Sequence, residues 1–426
     1  VIDVCLIYLP KPFLKEPDAQ APLGLLYIAA SLERYDIDVV VKNYAPYTDD
    51  EAIEDVPLAM LYGITATSME ILQADRFAEK IKQKYTNAVV VLGGPGSYSF
   101  DEAGPKHIDT VCYGEGEYVT RDILEDAYDG CIKSKYVGDA IRDLDSIPFP
   151  AREKLEYQGG NVFAYGKKHG EGQTTTITSS RGCPFKCAFC SAPSMTHNHR
   201  SRFRSPENLK KEIEHVIEKY EITQFRFSDD MFTANKKRVF EICEAIGPLD
   251  ISWRISCRVN PLDMEMLRAM KDAGCKELSF GVESFDNFVL SGLNKRQTDT
   301  DIVNALEMSH RCGYDTRILM MIRTPFQTPQ TIAINKHYLK RVPYTILACT
   351  AFIPIPGCDI WYNPDKYNIK ILDRNFDNYN FYMFGPEGRL PIKPIFKIKN
   401  RNIHDFHQES EDFRDWLEET GRLNRG

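Results

Sequence analysis

Apolar and polar positions follow two successive regimes along this chain. In the first, short β-branched and aliphatic runs cover Ile2 to Leu9, Asp38 to Val41, Leu58 to Ile64, Ala88 to Leu92 and Asp109 to Tyr113. Between or after them come Pro22 to Tyr35, Ile71 to Tyr85 and Glu117 to Tyr128, whose apolar residues recur at helical spacing, as Leu25, Ile28, Ala29 and Leu32 do. Five continuous apolar strands alternating with helices predict an α/β domain over residues 1–140. Its core is a doubly wound, Rossmann-like parallel sheet covered on both faces. Asp143 to Tyr157 carries Pro148, Pro150 and mixed charges, and residues 141–170 are read as a linker.

The second regime starts at Thr174. Strand patterns at Thr174 to Ser179, Gln224 to Ser228, Ile251 to Arg258, Glu277 to Val282, Thr316 to Ile322 and Ile346 to Ile355 alternate with helices. The clearest helix runs from a Ser205 cap, with Pro206 at its first position, to Tyr220. Six such units over 171–362 fall short of an eight-stranded barrel. A small C-terminal extension, 363–426, loses the periodicity until Phe406 to Leu417. Its aromatics Phe376, Tyr379, Phe381, Tyr382 and Phe384 need burial, which predicts a tail packed across the barrel mouth.

Composition narrows the function classes. Charged residues are 27% and hydrophobic ones 43% of 426 residues, ordinary for a globular protein, and the length suggests two or three domains. A net charge of -8 gives no support for a nucleic-acid surface. Apolar runs such as Ala88 to Leu92 are far short of a membrane span, and Val1-Ile2-Asp3 shows no leader, so the cytoplasm is the expected compartment. Nine of the 12 cysteines (5, 112, 131, 243, 257, 275, 312, 349 and 358) are scattered and read as reduced core residues.

The remaining three carry the chemistry. Cys183, Cys187 and Cys190 form a C-x3-C-x2-C array after a Ser179-Ser180-Arg181-Gly182 turn. Thiolates are preferred ligands of iron-sulfur clusters, and this spacing lets one loop hold three corners of a cubane. The fourth corner has no obvious cysteine, which leaves one iron able to take nitrogen and oxygen donors, much as a catalytic zinc keeps an open position. A structural zinc knot and three ordinary core cysteines are the alternatives.

Strand ends supply the other candidates, because ligands of parallel sheets and barrels bind beyond the carboxyl ends of the strands. In the first domain these ends carry Thr65-Ala66-Thr67-Ser68, Gly93-Gly94-Pro95-Gly96 and Gly114-Glu115-Gly116-Glu117, where glycines admit close approach of a bulky ligand. In the second they carry Ser228-Asp229-Asp230, Arg258, Glu283-Ser284, Arg323 and Pro354-Ile355-Pro356-Gly357. His197 and His199 lie in a basic patch ending at Arg204, but no carboxylate or cysteine partners them for metal binding.

With Phe189 before its last cysteine, the triad resembles the signature of the radical S-adenosylmethionine enzymes. The resemblance implies a [4Fe-4S] cluster on Cys183, Cys187 and Cys190, with S-adenosylmethionine chelating the open iron, and an open, partial (β/α)6 TIM-type barrel. The glycine-bearing loops ahead of the signature, together with Pro22-Leu23-Gly24-Leu25, look like the cobalamin-binding domain of the cobalamin-dependent subfamily. No D-x-H-x-x-G stretch occurs, so a histidine on cobalt is not expected. By resemblance, Thr65, Thr67, Ser68, Gly93, Gly94, Gly96, Gly114 and Glu115 face cobalamin, whereas Phe189, Ser228, Asp229, Arg258 and Glu283 serve S-adenosylmethionine. Glu283 is assigned to its ribose hydroxyls and Arg258 to its carboxylate.

The implied activity is methylation of an unactivated substrate carbon: a 5'-deoxyadenosyl radical abstracts hydrogen and methylcobalamin supplies the methyl group. Rearrangement, ring contraction or cyclisation with the same cofactors is the alternative, and a corrinoid or iron-sulfur binding module without turnover is a third reading. A methylthiotransferase is disfavoured, because Cys5, Cys112 and Cys131 are too dispersed for a second triad. A small-molecule or peptide substrate and an electron donor such as flavodoxin or ferredoxin are the expected partners.

Overall fold

A computed structural model describes residues 1–11, 14, 17, 21–156, 173–192, 200–379 and 394–422. They form two compact units, one built on residues 1–176 and 374–379, the other on 177–192, 200–373 and 394–422.

The first unit contains strands β1 (Ile2–Tyr8), β2 (Val39–Asn43), β3 (Ala59–Thr65), β4 (Val89–Gly93), β5 (Thr110–Gly114), β6 (Lys135–Gly138) and β7 (Leu155–Glu156). They make a seven-stranded sheet in the order β6-β5-β4-β3-β1-β2-β7, parallel at every pairing. The order reverses at β1, which has β3 on one side and β2 on the other, so the sheet has a topological switch point. Successive strand residues face opposite sides, yet Val4 and Leu6 are buried and so are Cys5 and Ile7. Helices Leu23–Glu33 and Gly116–Tyr128 cover the first set through Leu26, Ala29, Leu32, Ile123 and Leu124. Burial of the second set is what a sheet covered on both faces requires.

The five expected strands are present, and two more extend the edges. The described part of the stretch read as a linker, residues 141–156, belongs to this unit: Leu144 and Ile147 pack on Tyr27, and Leu155 pairs with Val41 as β7. Pro148 and Pro150 limit helix there to two short 3-10 turns, Leu144–Ser146 and Arg152–Lys154, but they leave the apolar residues free to be buried.

β8 (Thr174–Ile177), which spans the boundary in the chain between the units, joins β11 (Gln224–Phe227), β12 (Ser252–Cys257), β13 (Cys275–Glu283), β14 (Asp315–Ile322) and β15 (Ile346–Ala351) of the second unit in a six-stranded sheet in simple sequential order. A short antiparallel pair, β9 (Ser180–Arg181) with β10 (Arg202–Phe203), follows the first of them. Sequential winding without a switch point is barrel winding, and six strands make it partial. The strands alternate cleanly. Phe225, Trp253, Ile255, Leu278, Phe280, Ile318 and Met320 form one buried apolar set. Residues of the other set include Arg226, Arg254, Ser256, Glu277, Ser279 and Arg317. On that polar face Glu277 lies 3.6 Å from Arg254 and 3.4 Å from Arg317.

The C-terminal extension contributes a strand pair, β16 (Ile369–Ile371) with β17 (Phe396–Ile398), and a helix, Ile403–Glu419. That helix takes the place of a sixth barrel helix instead of crossing the mouth. It starts where Arg401 donates to the Gln327 carbonyl (2.6 Å), passes Arg323 through Glu411 (2.7 Å), and ends where Arg422 reaches Tyr344 (3.4 Å). Phe376 and Tyr379 are buried as expected, but as part of the first unit; Phe381, Tyr382 and Phe384 lie outside the described residues. No helix among the described residues is long and apolar enough to cross a membrane.

Candidate active site

The cysteine loop leaves the carboxyl end of β8 and is clamped from two sides. The first clamp comes from the end of β11. Asp229 accepts from the Ser179 amide (2.7 Å) and from the hydroxyls of Ser179 (2.5 Å) and Ser180 (2.6 Å), while Asp230 accepts from the Gly182 amide (2.9 Å). Arg238 adds a bond to the Ser179 carbonyl (2.6 Å). The second clamp is the turn after helix Asn287–Gly292: the Ala188 amide donates to the Leu293 carbonyl (2.9 Å) and the Asn294 side-chain amide donates to the Lys186 carbonyl (2.6 Å). At Gly357, with a left-handed φ of +94°, a β-carbon would lie 3.1 Å from the Ser191 β-carbon, so the glycine lets this loop pack closely on the segment after the triad. The backbone entering and leaving the triad is therefore fixed by carboxylates and main chain.

The three sulfurs are half-buried neighbours. Burial raises the Cys183 thiol against a hydrogen bond from the Phe185 amide, and pushes Cys190 up to about 12 against one from the Ala192 amide, with nearby Cys187 adding to both rises. Bound iron reverses this preference, since a coordinating thiol is deprotonated outright. Amide N–H groups aimed at sulfur fit the iron-sulfur assignment, because such bonds stabilise and tune clusters of this kind. Among the described residues no three His, Cys, Asp or Glu side chains surround a single ion position; a cubane instead places its cysteines on separate irons.

The residues expected to serve S-adenosylmethionine gather here. Asp229 is buried and both its oxygens are occupied by Ser179 and Ser180, so it organises the loop. Ser228 is exposed beside it, its amide on the Ile177 carbonyl (2.8 Å). Glu283 sits on a bulge at the end of β13, at a left-handed φ of 64°, and accepts from Lys295 Nζ at 2.7 Å. A β-carbon on Gly281 would lie 2.9 Å from both members of that ion pair, so the glycine makes room for it. Lys295 also lies 5.5 Å from the Phe189 ring. Arg258 stacks 4.0 Å over Phe185 and donates to Cys187 Sγ at 3.3 Å and to the Lys295 carbonyl. Lys295 was not legible in sequence: it stands in no motif, and a turn brings it to Glu283. His197 and His199 lie outside the described residues, and Arg204 forms a buried ion pair with Glu212.

The first unit collects its candidates at the carboxyl ends of adjacent strands, with Thr65 of β3 directly opposite Gly93 of β4. Gly93 has nothing within 4 Å of a would-be β-carbon. At Gly94, φ +76°, a β-carbon would strike Thr65 Oγ1, and at Gly96 it would lie 2.8 Å from the Ala66 and Thr67 carbonyls. Thr67 caps its own turn through Glu70 (2.8 Å), and Ser68 accepts from Ser99 (2.7 Å). Gly114 ends β5 at φ +78°, while Glu115 accepts from the Ile141 amide (2.7 Å) and thus ties down the chain after β6. An open glycine edge framed by short hydroxyl side chains suits a large, rigid ligand approached by backbone.

Residues 177–333 match the radical SAM superfamily. An uncharacterized methyltransferase of Pyrococcus horikoshii is 28% identical over 409 residues, covering 89% of this chain and 83% of the relative. The anaerobic magnesium-protoporphyrin IX monomethyl ester cyclase of Rubrivivax gelatinosus is 24% identical, covering 75% of this chain and 60% of its own. Among solved structures, the radical S-adenosylmethionine methyltransferase TsrM of Kitasatospora setae, with cobalamin and a [4Fe-4S] cluster bound, superposes with a TM-score of 0.75 at 13% identity, covering 99% of this chain and 91% of its own. The cobalamin-dependent radical enzyme OxsB, with aqua-cobalamin and S-adenosylmethionine bound, gives 0.65 at 17% identity, covering 100% of this chain and 62% of its own. The match to the radical SAM superfamily falls within the second unit and includes the cysteine triad. The chain shares the fold of TsrM and OxsB.

Proposed function

We propose that this protein is a cobalamin-dependent radical SAM methyltransferase acting on an unactivated carbon of a small-molecule or peptide substrate, in the cytoplasm, with flavodoxin or ferredoxin as electron donor. The observation that carries the proposal is the clamped cysteine loop with amide donors on two of its three sulfurs. Cys183, Cys187 and Cys190 would hold a [4Fe-4S] cluster, which when bound supplies the electron for reductive cleavage of S-adenosylmethionine. The chain's own contribution is positioning. Asp229 and Asp230 fix the loop's entry, Glu283 offers an acceptor to the ribose, and Phe189 walls the site beside Lys295. Thr65, Thr67, Ser68, Gly93, Gly94, Gly96, Gly114 and Glu115 would cradle cobalamin, with no histidine expected on cobalt. Holding both cofactors brings the reactants together and excludes water from a short-lived radical.

Incubating anaerobically reconstituted protein with methyl-labelled S-adenosylmethionine and candidate metabolites tests the reading. A product heavier by one labelled methyl group is expected. The cyclase relative favours cyclisation as the second reading, and a product without added mass, alongside released 5'-deoxyadenosine, would select it. Glu283→Gln is expected to weaken S-adenosylmethionine binding by roughly tenfold, since it keeps an acceptor oxygen but loses the charge.

A further inference from the structure

Each sulfur of the triad receives a different donor. Cys183 and Cys190 are met by neutral amides of their own loop. Cys187 is met by a charged group from elsewhere in the fold, Arg258 at the end of β12. That guanidinium is 6% exposed and held on three sides. One nitrogen points at Cys187 Sγ (3.3 Å), another at the carbonyls of Lys295 and Arg296 (3.4 Å to the latter), and its face lies 4.0 Å over the Phe185 ring. The Lys295 and Arg296 carbonyls belong to the turn that clamps the cysteine loop. A planar fork can satisfy a sulfur, two carbonyls and a ring at once, which an ammonium on a flexible stem cannot.

We propose that Arg258 is a positioning residue for the iron-sulfur cluster: it fixes Cys187 and raises the cluster's reduction potential, in place of binding the S-adenosylmethionine carboxylate. A permanent positive charge hydrogen-bonded to a ligand sulfur stabilises the form that has gained negative charge. The couple takes one electron from the external reductant. The inference rests on the cluster assignment above and concerns the cluster before any S-adenosylmethionine is added.

The test is a dithionite titration of reconstituted protein followed by electron paramagnetic resonance, with iron content and S-adenosylmethionine affinity measured on the same samples. Arg258→Gln is expected to keep its iron and to lower the midpoint potential by about 59 mV, a tenfold change in a one-electron equilibrium. Arg258→Lys, which restores charge without the fork, is expected to recover part of that shift. An unchanged midpoint in a fully loaded Arg258→Gln protein overturns the inference. So does equal loss of iron from both variants, which would make Arg258 a packing residue only. Weakened S-adenosylmethionine binding with an unchanged midpoint would return Arg258 to the carboxylate. Failure of the unsubstituted protein to hold iron would instead sink the cluster assignment itself.

Discussion

The two sheets of this protein are both parallel and both wound from strand-helix units, yet they handle their faces differently. In the seven-stranded sheet adjacent residues such as Val4, Cys5, Leu6 and Ile7 are all buried, and the candidate ligand residues Thr65, Gly93 and Gly94 stand at the strand ends. In the six-stranded sheet only one face is apolar. The other carries Arg254, Glu277 and Arg317 along the strands and Arg258 and Glu283 at their ends. A sheet covered by helices on both faces buries mostly apolar residues along its strands, so its ligand is confined to the strand ends. A partial barrel leaves one face lined by side chains, and there polar groups can pair with one another.

This contrast is open to experiment. The largest expected effect is chemical: replacing Cys183, Cys187 and Cys190 together by Ala should abolish iron binding while corrinoid retention by the first unit is unchanged, as read by metal analysis and absorbance. Iron surviving in that protein would remove the cluster assignment.

Next in size are paired stability changes. Leu61→Ala, in the two-sided sheet, should cost about 3 kcal/mol by loss of apolar burial and formation of a cavity. Glu277→Gln should cost about 3 kcal/mol because it leaves Arg254 and Arg317 without their carboxylate. A double replacement of Glu277 and Arg254 by apolar residues should recover part of that loss, which no second truncation beside Leu61 would do. Equal behaviour of the two pairs in denaturant titrations would erase the distinction drawn between the sheets.

Gly94→Val tests the edge of the first sheet. Its left-handed φ and the neighbouring Thr65 hydroxyl leave no space for a side chain, so about 1–3 kcal/mol of stability should be lost. Corrinoid binding should fall with it, and iron content should not. The smallest effect expected is a pH dependence at the barrel's last helix. Burial first, then Arg323 and His404, lower His407 from 6.5 to about 4, so the fold holds it neutral. Its contribution is present above pH 6.5 and is lost as pH falls toward 4, where the unfolded chain binds a proton that the folded chain resists. The melting temperature of His407→Leu should fall less over that interval than that of the unsubstituted protein.

Much of the architecture was legible because hydrophobic periodicity reports which faces a strand or helix buries. All six barrel strands and the five apolar strands of the first sheet stand within a few residues of their expected places. The edge strands β6 and β7 escaped notice, since four and two residues carry too little pattern to distinguish from loop. The sixth helix was hidden because an irregular stretch, with its strand pair, separates it from β15, whereas the other barrel helices lie close to their strands.

By itself the sequence determined the ligand chemistry. Three cysteines at short spacing are a local pattern, and the glycines at strand ends announce backbone freedom, so both are visible in the sequence before any packing is known. Tertiary structure alone decided how the remaining polar residues are used. Asp229 holds Ser179 and Ser180 across 50 and 49 positions, Arg258 reaches Cys187 across 71, and Glu283 meets Lys295 only because a turn carries that lysine back over the strand end. A carboxylate or guanidinium in a sequence announces a charge, but its partner is set by which loops the packed strands bring together.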